Sequence, residues 1–111
     1  MARLNVVAAG AEGLADPGDQ DRALIAVSVS DANGVGITAL AIANFDIHMA
    51  IVGPGGADVS IATIQPKTAG FYVLGIIPIP AGTWKAGRYV ATVAVHRGPD
   101  FGQTLADFSV A

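Results

Sequence analysis

The sequence predicts an all-β domain built as two packed sheets of about seven strands, on three observations. Apolar residues nowhere recur at helical spacing over the eleven or so residues that a convincing helix requires. Val, Ile, Thr and aromatic residues fall instead in short runs between Gly, Pro, Asn and Asp, with 14 Gly and 6 Pro punctuating 111 residues. Within several runs, apolar residues alternate with small or polar ones, the period of a strand that buries one face.

The first predicted strand is Leu4 to Ala9, followed by a polar loop from Glu12 to Asp21 that contains Asp16-Pro17-Gly18-Asp19. The second runs from Arg22 to Ser30, with Ile25, Val27 and Val29 on one face and Ala26, Ser28 and Ser30 on the other. Asp31-Ala32-Asn33-Gly34 then turns the chain, using Asn-Gly where a positive φ costs little. Val35 to Ala43 suits either a short edge strand or a bulged segment. Phe45 to Val52 is a strand with Phe45, Ile47, Met49 and Ile51 on one face and Asp46, His48 and Ala50 on the other. Gly53-Pro54-Gly55-Gly56 reads as a turn, and Ala57 to Gln65 as a strand carrying Val59, Ile61 and Thr63 on one face. Pro66 ends it, because proline cannot donate to a ladder. After a turn at Lys67 to Gly70, Phe71 to Ile77 forms a strand that stops at Pro78-Ile79-Pro80. The last two strands have the clearest alternation. Arg88 to Arg97 places Tyr89, Ala91, Val93 and Val95 on one face, and Gln103 to Val110 does the same with Ala106, Phe108 and Val110. Gly98-Pro99-Asp100-Phe101-Gly102 is the loop between them. With no internal repeat or linker, residues 1–111 read as a single domain.

Composition narrows the function classes. Hydrophobic residues make up 52% and charged residues only 14%, with a mean hydropathy of +0.54, so the chain has ample apolar material for a core. Gly and Pro interrupt every apolar run before it reaches the 18 to 20 or so residues of a membrane helix, so no membrane span is expected. The formal net charge is -3, and the basic residues Arg3, Arg22, Lys67, Lys85, Arg88 and Arg97 are scattered. No stripe that could follow a phosphate backbone forms, so nucleic acid is not an expected partner. There is no cysteine, which excludes disulfides and thiol chemistry without fixing a compartment. Met1 to Gly10 is too short and weak in apolar character for a signal peptide. A surface with so little charge fits either partial coverage by other subunits or a monomer whose surface is built from small residues.

The segment Trp84-Lys85-Ala86-Gly87-Arg88-Tyr89, followed by Val90-Ala91-Thr92-Val93-Ala94-Val95, resembles the approach to strand F in fibronectin type III and other immunoglobulin-like domains. That resemblance implies an immunoglobulin-like two-sheet sandwich with a tyrosine corner. Tyr89 would bury its ring and bond its hydroxyl to backbone in the preceding turn, Trp84 would cover the end of the core, and Gly87 would permit the turn. Asp31-Ala32-Asn33-Gly34-Val35-Gly36-Ile37 with Phe45-Asp46-Ile47 is similar to macroglobulin-type and bacterial surface immunoglobulin-like modules. The likeness covers roughly residues 22 to 110 and favours an extracellular or cell-surface setting. It leaves function open, because this architecture serves adhesion, spacing and ligand contact alike.

No convergent chemistry stands out in the sequence. A blue-copper site needs a thiolate, and strand alternation keeps His48 and Met49 from sharing a face. Asp16, Asp19, Asp21 and Asp31 lack the spacing of a calcium loop. Ser28, Ser30, Ser60 and Ser109 have no nucleophile elbow around them, and Glu12 is the only Glu. No catalytic residue, metal site or cofactor is therefore expected. His48 and His96 fall at outward strand positions, and Tyr72 and Phe101 are the two aromatics that alternation leaves outside. These four are the candidate contact residues, with Arg97 and Asp100 as a polar rim beside Phe101. The expected function is non-enzymatic, a structural or protein-interaction module that assembles with itself or a larger complex. The alternative is a carbohydrate-binding or enzyme-accessory ligand-binding module that displays Tyr72 and Phe101.

Overall fold

The computed structural model describes residues 3–10, 23–51, 58–79 and 87–110. Its strands are β1 (Asn5–Gly10), β2 (Ala23–Ser30), β3 (Phe45–Ile51), β4 (Asp58–Pro66), β5 (Phe71–Ile79), β6 (Gly87–Arg97) and β7 (Asp100–Val110), with a short 3-10 turn at Ile42–Asn44. Each predicted strand is present, within one to three residues of its predicted ends. The strands form two antiparallel sheets, ordered β1-β2-β5-β4 and β3-β6-β7. This is an all-β sandwich.

The alternation read from the sequence sets which side chains meet. Ile25, Val27 and Val29 of β2 and Leu74 and Ile76 of β5 join one apolar cluster with Phe45 and Ile47 of β3, Tyr89, Ala91, Val93 and Val95 of β6, and Ala106 and Phe108 of β7. Each fully buried large aliphatic side chain contributes about 1.5–3 kcal/mol, so this shared layer is what holds the two sheets together. Tyr89 is 1% exposed, and its ring stacks on Phe108 at a centroid distance of 5.4 Å. Its burial agrees with the sequence reading. Trp84 and the turn before Gly87 lie outside the described residues, as do Gly53 to Gly56 and the acidic loop with Asp16, Asp19 and Asp21.

Tyr72 departs from expectation. It is 1% exposed, not outward. Residues 72 to 76 of strand β5 are buried on both faces, Val73 at 5% exposure as well as Tyr72 and Leu74, so its sequence is apolar throughout and alternation gives no phase. The Tyr72 hydroxyl donates to the Ile37 carbonyl at 2.7 Å and accepts from the Leu40 N–H at 3.1 Å, while its ring meets Phe45 edge-on at 5.6 Å. Phe71 is its exposed neighbour instead.

Those hydrogen bonds explain the segment from Val35 to Ala43, which is neither a full edge strand nor a simple bulge. It touches the sheet through one bridge, Ser30 to Gly36, and through the Ile37 N–H, which donates to the Val29 carbonyl at 2.9 Å. The Asp31 carboxylate starts the excursion by accepting from the N–H groups of Asn33 (2.8 Å) and Val35 (3.0 Å), an Asx-type turn. Ile37 and Leu40 then enter the core. Gly36 and Gly70 lie face to face, so a Cβ on Gly70 would come within 2.6 Å of the Gly36 Cα and the Val29 carbonyl oxygen.

The two flanks of the sandwich are finished differently. On one, β1 lies against β7: Arg3 forms a parallel bridge with Phe101, and the Leu4 N–H donates to the Phe101 carbonyl at 2.9 Å. A Cβ on Gly102 would collide with the Leu4 carbonyl, and one on Gly10 would lie 2.6 Å from the Phe108 Cβ. On the other flank, edge strands β3 and β4 each carry a register shift, at Met49/Ile51 and Ile61/Thr63. Such bulges discourage strand pairing with another molecule.

Candidate functional site

The outer face of β3-β6-β7 collects three of the four residues singled out in the sequence. Pairing in this sheet sets Phe101 beside His96, Gln103 beside Ala94, Leu105 beside Thr92 and Asp107 beside Val90, with Asp46 and His48 on the far side of Ala94 and Thr92. Tyr72 belongs to the other sheet and is buried, so it is not part of any surface. Phe101 is not at a loop tip either. The hairpin closes tightly at Gly98-Pro99, since Arg97 already pairs with Asp100, and Gly98 at φ 57° supplies the positive dihedral of the turn. Phe101 is therefore a strand residue whose ring stands on the outer face, 45% exposed. Arg97, exposed, and Asp100, half-buried, sit at the hairpin next to it.

Two apolar residues on this surface were not among the sequence candidates. Leu105 is 60% exposed and Val7 68%. Arg3 beside Phe101, Leu4 against Gly102 and Gly10 against Phe108 all express one register of β1 along β7, which places Val7 beside Leu105. The outward positions of β1 thus continue the face of β7, and Phe101, Leu105 and Val7 form a strip of exposed apolar side chains along the seam, interrupted midway by Gln103 and Asn5. Leu105 left a trace in the sequence, as a leucine in outward phase between Thr104 and Ala106. The neighbour of Val7 could not be read from it.

Polar side chains surround and interrupt the apolar ones on this face: Asp46, His48, Thr92, His96, Gln103 and Asp107 share it. The His96 Nε2 lies 3.2 Å from the Asp46 Oδ2, with both side chains about half exposed (44% and 57%). A pair this wet contributes at most about 1 kcal/mol and serves mainly to orient the imidazole. Asn44 donates from its side chain to the His96 carbonyl at 2.9 Å, tying the 3-10 turn to β6. His48 stands opposite Thr92, four residues along β6 from His96, so the two imidazoles are roughly 13 Å apart, too far to share a metal ion. The Asp31 carboxylate is engaged by backbone N–H groups. What the face offers is apolar contact area with a histidine and carboxylate fringe.

Beside the strip, a cleft of about 430 Å³ opens between the start of β1 and β7, with Arg3, Asn5, Val7, Phe101 and Gln103 among the residues along its walls. Compared with known proteins, the chain matches no family model, no curated protein and no solved structure.

Proposed function

We propose that this chain is an immunoglobulin-like, non-enzymatic structural or protein-interaction module that associates with copies of itself, or within a larger assembly, through the outer face of β3-β6-β7. The immunoglobulin-like part of the reading is supported by strand order: β1-β2-β5-β4 and β3-β6-β7 follow the four-plus-three arrangement of a constant-type domain. The observation that carries the association is the strip of Phe101, Leu105 and Val7, exposed by 45, 60 and 68% and flanked by small or half-buried Ala94 and Thr92. Pairing through the sheet edges is the competing route. It is disfavoured by the bulges in β3 and β4 and by the closure of β1 on β7.

Covering the exposed parts of these three side chains yields about 4 kcal/mol on each copy, or about 8 kcal/mol for a symmetric pair. That exceeds only the low end of the 4–15 or so kcal/mol cost of association. Self-association by this face alone is therefore weak and concentration-dependent, and a larger assembly would add the remaining contacts. Sedimentation velocity from about 10 μM to 1 mM, a range that brackets such affinities, tests the reading. The wild type is expected to shift to heavier species as concentration rises, and Leu105→Asp to remain a monomer. A wild type that stays monomeric throughout overturns self-association, and a Leu105→Asp variant that associates equally well overturns the face. The glycan-binding alternative rests on Phe101 alone, because Tyr72 faces the core. Screening against soluble glycans with and without calcium tests it.

A further inference from the structure

We propose that the cleft at the β1–β7 seam is a binding site for a small monocarboxylate carrying an aliphatic or aromatic group. Its volume of about 430 Å³ falls in the range of small-ligand pockets, roughly 300–1,000 Å³. The chemistry of its walls is asymmetric. Among the described residues, Arg3 is the one charged residue that lines it, and it makes no ion pair or hydrogen bond through its guanidinium with any of them. An arginine that is always charged and presents a planar fork fits a carboxylate in bidentate fashion. A free cation in a protein of net charge -3 also stands out against its surroundings.

The remaining walls decide between anions. Val7 and the Phe101 ring are exposed apolar surface at 68% and 45%, and they supply the area that an aliphatic or aromatic tail would cover. Asn5 uses one amide hydrogen on the Asp31 carbonyl at 3.0 Å and keeps a second donor. The Gln103 side chain is exposed and makes no hydrogen bond among the described residues. The Leu4 N–H is already taken by the Phe101 carbonyl, so no nest of backbone donors is available to a phosphate. One fork, one or two amides and an apolar wall match a single carboxylate with an apolar tail. That chemistry occurs both in a free acid and at the end of a peptide chain.

The test is a titration of the ¹⁵N-labelled full chain, followed by amide shifts, with hexanoate and N-acetyl-leucyl-leucine as probes and hexanol and N-acetyl-leucyl-leucinamide as their neutral counterparts. Saturable shifts are expected at Leu4 to Val7 and Phe101 to Gln103, with each acid binding about tenfold more tightly than its neutral partner, the factor a charged hydrogen-bonded pair supplies. Tighter binding by hexanoate assigns a free acid, and tighter binding by the peptide assigns a chain end. Arg3→Gln is expected to abolish the preference while leaving the amide spectrum elsewhere unchanged. Equal binding of acids and neutral probes, shifts that map away from the seam, or a preference that survives Arg3→Gln each overturn the proposal. Because Val7 and Phe101 belong to both surfaces, the titration is run on the Leu105→Asp variant as well as the wild type: acid preference retained in that variant separates the cleft from association, which is read by sedimentation.

Discussion

The β1–β7 seam and the excursion between β2 and β3 both join parts of the chain that are not neighbours in a sheet, yet they are held in opposite ways. Strand β1 is regular and fully laddered to β2, but it buries no side chain completely, and its outward residues stand in solvent. Leu4, just before it, is the one deep anchor at 4% exposure. The excursion from Asp31 to Asn44 looks irregular, yet Ile37 and Leu40 are in the core, the Tyr72 hydroxyl bonds the backbone of both, and Gly36 packs on Gly70. Regular hydrogen bonding is thus no guide to where this molecule is tightly specified. The depth of the side chains is.

If that contrast is right, the largest effect should come from Gly70→Ala. Its φ of 81° and its contact with the Gly36 and Val29 backbone add strain and overlap worth about 3 kcal/mol, read as a fall in Tm of roughly 10–20 °C. Next is Tyr72→Phe, which leaves the buried Ile37 carbonyl and Leu40 N–H without their shared partner and is expected to cost about 2 kcal/mol in urea unfolding. Asp31→Ala removes the acceptor for two exposed N–H groups, and because water replaces it the loss should be about 1 kcal/mol or less. On the seam side, Leu105→Asp should change stability by less than about 0.5 kcal/mol while removing association. Native-state hydrogen exchange sharpens the contrast further. Amides of β1 should open well below the global unfolding free energy, whereas those of Ile37 and Leu40 open only with the whole domain. Equal protection in both regions would remove the distinction.

Much of the architecture was legible from alternation alone. Val27 and Val29 in β2, and Tyr89 through Val95 in β6, point where period-two spacing placed them, because each strand has one dry and one wetter face. The phase of Tyr72 was not legible, since the run from Phe71 to Ile79 is apolar throughout and Val73, on the opposite face, is buried as well. The 35–43 stretch escaped for a related reason: its shape is dictated by a hydroxyl more than thirty residues away, not by local propensity. For the candidate face, His48, His96 and Phe101 could be found from the sequence. The strip they border could not, because the adjacency of Val7 and Leu105 depends on a register between the first and last strands.

The bridge between Arg3 and Phe101 has a practical corollary for anyone building with this domain. It fixes the start of the described chain at the β6–β7 hairpin, while β7 carries the end of the described chain about 30 Å away. A tag joined directly to Arg3 would start next to the cleft, and one joined directly to Val110 would start at the opposite end of β7.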